Sequence, residues 1–173
     1  MGISKILKTF EEKQTSPDGH AQPDQAVETE IRALRKKVTA CFSRYILPAI
    51  YDVERDLQQA GYWNQINIAQ SSHASSDTPF LKSAALSFIP ERVSSTADER
   101  LLLKRAYQSL FAATGDLRKI EFSFRFPERL TNVVEEKRET HLVEDIRQAV
   151  VDAFLEAFII GALDAYQSDR ILR

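Results

Sequence analysis

The sequence predicts an α+β protein: an antiparallel sheet of three to four strands packed against a long N-terminal helix, kinked at Pro48, and a C-terminal helix. Three observations carry this. Apolar residues at alternating steps of three and four run from Val27 to Tyr45; Ile120, Phe122, Phe124 and Phe126 alternate with Glu121, Ser123 and Arg125; and the densest apolar block, from about His141 to Tyr166, comes last. Helical and strand segments are not regularly interleaved, which favours an antiparallel sheet with helices on one face over parallel crossovers.

Composition bounds the answer. A chain of 173 residues, 43% hydrophobic and 28% charged, fills one core and predicts one domain. Its net charge of -2 and pI near 6.0 exert no long-range pull on phosphate backbones, so nucleic acid is not an expected partner. One cysteine cannot form an intramolecular disulfide, and the start M-G-I-S-K-I-L-K lacks the apolar run of a signal peptide, so a cytoplasmic chain is expected. Gly2 does not open a myristoylation pattern, because Ile6 stands where Ser or Thr is required.

Residues 1–14 read as an amphipathic arm, since Ile3, Ile6, Leu7 and Phe10 fall on one helical face with Lys5, Lys8 and Lys13 among the rest. Residues 15–24, with Pro17, Gly19 and Pro23 among small polar residues, read as a flexible linker. Residues 25–173 are then a single α+β domain. The arm's apolar face is expected either to fold back on its own domain or to dock on a protein partner, a neighbouring subunit or a membrane surface.

From Asp24, a candidate N-cap, Val27, Ile31, Leu34, Val38, Cys41 and Tyr45 form one seam, with Glu28 and Arg32 in the favourable four-residue order. Arg35, Lys36, Lys37 and Arg44 lie off it, as solvating charges do. Ile46, Ile50, Val53 and Leu57 resume the spacing until Gly61, so Pro48 implies a kink or two helices meeting near Leu47. Unbroken, residues 25–60 would span about 54 Å, against roughly 40 Å across a compact chain of this length. Self-association through the 25–57 seam, with Leu34 and Val38 at its centre, is the expected consequence.

Tyr62–Gln70 and Phe80–Ile89 read as strands separated by a polar loop, the second having Phe80, Lys82, Ala84, Leu86 and Phe88 on one side and Pro90 at its end. Thr96 and Glu99 fit a capping box, and Leu103, Ala106, Tyr107, Leu110 and Ala113 suit a helix up to Gly115, although residues 97–113 also suit a strand. After the strand at Ile120–Phe126, a further one is expected near Asn132–Lys137. Both L-S-F-I-P-E-R-V (86–93) and F-S-F-R-F-P-E-R-L (122–130) end in Pro-Glu-Arg, a pattern that fits either a paired polar site or two proline-stopped strands.

In the terminal helix Val143, Ile146, Val150, Phe154, Ala157, Phe158 and Gly161 share one side and Asp145, Asp152 and Glu156 the other, while Ile159, Ile160, Ala162 and Leu163 wrap the remaining directions. The block is too short and too charged to span a bilayer, which takes roughly 20 apolar residues.

Chemistry is sparsely marked. The five glycines are far apart, and neither a phosphate loop nor a C-x-x-C, H-E-x-x-H or acidic calcium motif is present, so no cofactor and no metal are expected. Ser72, His73 and Asp77 have the residue types of a triad but crowd into one loop. Cys41 lies on the apolar seam as a small hydrophobe. His141 and Asp145, one helical turn apart, are the catalytic candidates: a base oriented by a carboxylate, or a metal pair completed by Glu139 or Glu144. The same residues also describe a solvated helix start. By elimination the expectation is a non-enzymatic interaction or assembly module; the alternatives are an enzyme centred on His141 and Asp145, and an apolar-ligand binder between the Phe122–Phe126 face and the terminal helix.

Overall fold

In the computed structural model, which describes residues 25–71, 80–127 and 137–171, five strands lie in chain order, each antiparallel to its neighbours. They are β1 (Asn64–Ser71), β2 (Phe80–Phe88), β3 (Tyr107–Ala113), β4 (Lys119–Arg125) and β5 (Lys137–Leu142). The chain is α+β with an antiparallel sheet, as predicted, but among the described residues the sheet has five strands rather than three or four. The arm, the linker, the loop with Ser72, His73 and Asp77, the second Pro-Glu-Arg exit beyond Pro127, and most of the strand foreseen near Asn132–Lys137 lie outside the described residues.

The chain divides into two compact units, residues 1–33 and 34–173. Of the first, only the opening turns of helix α1 (Gln25–Cys41) are described. There Thr29 donates its hydroxyl to the Gln25 carbonyl, and Val27 and Ile31 are exposed.

In the second unit the break expected near Leu47 takes the form of a π-helical turn, Phe42–Ile46, leading into α2 (Leu47–Gln59). The Leu47 N–H reaches back five residues to the Phe42 carbonyl. The widened turn lowers the demand for the N–H that Pro48 lacks and makes room for its ring. It also absorbs the one irregular step of the seam, from Cys41 to Ile46, so that Val38, Cys41, Ile46, Ile50 and Leu57 are all buried. Helix α2 stops where Gly61 adopts φ 79 and Tyr62 donates to the Leu57 carbonyl at 3.0 Å. That pairing is a Schellman cap, and its left-handed residue is the position glycine fills without strain.

The register puts one apolar row after another on a single face of the sheet: Ile68, Ala84, Phe111 and Phe122, then Ile66, Leu86, Ser109 and Phe124. Helix α4 (Gln148–Ile171) covers that face. Its Phe154 ring lies 5.4, 5.2 and 5.5 Å from those of Phe111, Phe122 and Phe124, and Phe158, one turn on, lies 5.6 Å from Phe88. Burying each such ring contributes about 1.5–3 kcal/mol. On the other side a smaller cluster forms around Ile89, Leu102 and Ala106, with Trp63 and Val93 against it. Leu102 belongs to α3 (Glu99–Arg105), which Glu99 ties to β1 by accepting a hydrogen bond from Gln65 at 2.8 Å.

Two predicted helices are shorter than expected. The helix foreseen up to Gly115 ends at Arg105, and β3 takes over, because Tyr107, Ser109 and Phe111 are needed as the row between β2 and β4. Its N-cap is Asp98, which accepts from the Arg100 N–H at 2.9 Å, rather than the Thr96 capping box. The terminal helix begins at Gln148, not near His141. Residues 137–142 instead satisfy their backbone along the edge of β4, and a 3₁₀ turn, Val143–Asp145, joins that strand to the helix.

Candidate functional site

Helices α2 and α4 pack against each other, and a groove of about 500 Å³ runs between them. Ala49, Val53 and Leu57 recur every four residues on α2, and Leu155 and Ile159 do so on α4; with Ile160 they make the apolar floor. One position away on each helix run the acids: Asp52 and Asp56 on α2, Asp152 and Glu156 on α4. All four carboxylate residues are exposed. The result is an apolar trough with a negative rim on both sides.

The rim is only partly neutralised. Arg55 reaches Asp52 at 2.6 Å and Gln148 donates to Asp152 at 2.7 Å, whereas the carboxylates of Asp56 and Glu156 have no partner among the described residues. Like charges four apart on a helix cost about 0.2–0.5 kcal/mol per pair, and here two such pairs face each other. A cation placed over the groove would relieve that repulsion while its apolar flank covered the floor.

Sequence periodicity had placed Asp152 and Glu156 on the wet side of the terminal helix and gave no role to Asp52 or Asp56. Each acid pair is legible in the chain; their juxtaposition depends on which helices pack together.

His141 lies on β5 opposite Ile120, and Asp145 lies in the 3₁₀ turn, so the one-turn spacing expected of them is not realised. The carboxylate beside the imidazole is that of Glu139, two residues back on the same strand, with Nε2 to Oε1 at 3.3 Å. The ring leans on Phe122 at 4.7 Å between centroids. Among the described residues no three His, Cys, Asp or Glu side chains gather closely enough to hold a metal ion. The space expected for an apolar ligand beneath Phe122 and Phe124 is occupied by Phe154 and Phe158.

Along the α1 seam Val38 is fully buried and Leu34 half-buried, whereas Val27 and Ile31 are 49% and 37% exposed. Val38 is therefore a core residue rather than a contact for a partner. Cys41 is buried as well, and burial pushes its thiol up to about 11 against the smaller opposing field of Arg147. Such a thiol stays protonated at neutral pH and is a poor nucleophile. The first Pro-Glu-Arg exit has a structural use: Glu91 pairs with Arg105 of α3 and accepts the Tyr166 hydroxyl of α4 at 2.6 Å. Sharing its proton with that carboxylate raises the Tyr166 pKa above its ordinary value.

Among the described residues no helix is long and apolar enough to cross a membrane. The chain matches no protein-family model, no curated protein sequence and no solved structure, so its functional reading rests on its own residues.

Proposed function

We propose that this chain is a non-enzymatic interaction or assembly module, self-associating through the seam of its first helix and docking through its N-terminal arm. One observation carries the reading. The seam that buries Val38 and Cys41 continues through Val27 and Ile31, which are 49% and 37% exposed. A three-four apolar spacing is self-complementary, because two such seams interdigitate as knobs in holes. A second copy of the same helix is thus a fitting cover, and Glu28, Glu30 and Arg32 alongside supply charges of both signs.

Sedimentation of the full chain at micromolar concentration tests this. A dimer or larger species is expected, split by Ile31→Glu, a substitution at an exposed position that leaves the core untouched. Leu34→Glu should split it too, at some cost in stability. A monomer for both the wild type and Ile31→Glu would remove the proposal.

A further inference from the structure

We propose that the acid-rimmed groove between α2 and α4 receives residues 1–14 of a second copy of the chain, an inference that rests on the self-association proposed above. The groove and the arm match in three respects. The groove, lined by Ala49 to Leu57 on one side and Asp152 to Ile160 on the other, is about 12 Å long at 1.5 Å per helical residue. Ile3, Ile6, Leu7 and Phe10 would cover about the same length as one helical face. Those eight residues, 3–10, carry Lys5 and Lys8 and no acid, against a rim of Asp52, Asp56, Asp152 and Glu156.

Lysine stems are long enough to lie along the flanks of a seated helix and bring their ammonium groups to the rim. Glu11 and Glu12 fall past the end of the trough. A helix this short is marginal in water and gains its order from the surface it docks on. The exchange is reciprocal in a dimer, each copy giving an arm and receiving one, which closes the assembly instead of propagating it.

Disulfide trapping between two full-length chains of different tag mass tests the proposal. One carries Ile6→Cys; the other carries Ile160→Cys, an exposed position on the groove floor. The native Cys41 is buried and stays out of the exchange. Under a glutathione redox buffer the mixed species should form about tenfold faster than with a control cysteine at the exposed Ser168, because docking raises the effective concentration of the two thiols. Adding Asp56→Lys and Glu156→Lys to the receiving chain should slow trapping about fivefold, and Lys5→Glu with Lys8→Glu in the arm should restore part of the loss.

Equal trapping at Ile160→Cys and Ser168→Cys overturns the proposal, and so does a disulfide that forms only when both cysteines sit on one chain. Sedimentation of the same mixture separates the two levels of inference. A dimer without trapping overturns the docking of the arm and leaves seam association standing, whereas a monomer without trapping overturns both.

Discussion

Raising the pH should expose Cys41 as a stability liability. The thiol is 4% exposed on the buried seam, and its pKa is raised from 9.0 to about 11, burial outweighing Arg147. A raised folded-state pKa contributes stability that is fully present below the unfolded value. As pH rises past 9, the unfolded chain loses the thiol proton first, and the contribution drains away until the folded thiol ionises in turn. Two units of difference correspond to roughly 3 kcal/mol in full, of which about 2 kcal/mol is lost by pH 10.5. Urea unfolding of the wild type and Cys41→Ala at pH 7.5 and 10.5 isolates this amount, because every other group titrates alike in both chains. The wild type should lose about 2 kcal/mol more than the variant, roughly 1 M in urea midpoint at a slope near 2 kcal/mol per M. Native Cys41 should also resist iodoacetamide at pH 8. Equal pH dependence in the two proteins, or alkylation of the native chain as fast as of the unfolded one, would refute the buried placement of the seam.

Four further substitutions probe other parts of the fold. Phe154→Ala removes a ring packed on Phe111, Phe122 and Phe124 and should cost about 3–5 kcal/mol, lowering the calorimetric Tm by roughly 6–20 °C; a loss under about 1 kcal/mol would mean that α4 does not cover the sheet. Ser109→Ala should be neutral or stabilising by up to about 1 kcal/mol in urea melts, since the Ser109 hydroxyl is fully buried without a partner among the described residues; a clear loss would reveal a bond to that hydroxyl. Gly115→Ala should gain about 0.4–1 kcal/mol, having nothing within 4 Å and no positive φ, whereas Gly61→Ala at φ 79 should lose about 1 kcal/mol; matching signs at the two sites would contradict the backbone described for them.

What could be read from the chain depended on whether local periodicity and tertiary pairing agreed. In β4 they do: Ile120, Phe122 and Phe124 alternate with polar residues and are buried as that pattern demands. In residues 97–113 they conflict, because Leu103, Tyr107 and Leu110 suit a helix while Tyr107, Ser109 and Phe111 suit a strand. The facing edges of β2 and β4, which β3 joins into one sheet, decide for the strand. Around His141 the apolar block of the terminal helix follows directly on a polar stretch, whose residues pair with the sheet edge instead of extending the helix. The groove escaped sequence analysis for a different reason. Asp52 and Asp152 are a hundred residues apart, and only helix packing makes them one rim.

The order of the strands has a consequence for how the molecule comes into being. Each strand pairs with the one made just before it, so hairpins can close locally and the sheet can assemble while synthesis proceeds. The helix that covers its aromatic face is made afterwards. Until Phe154 and Phe158 leave the ribosome, Phe111, Phe122 and Phe124 stand on an uncovered surface. A pause in translation between β4 and α4 would prolong that interval, and chaperone capture or aggregation of nascent chains should rise with its length.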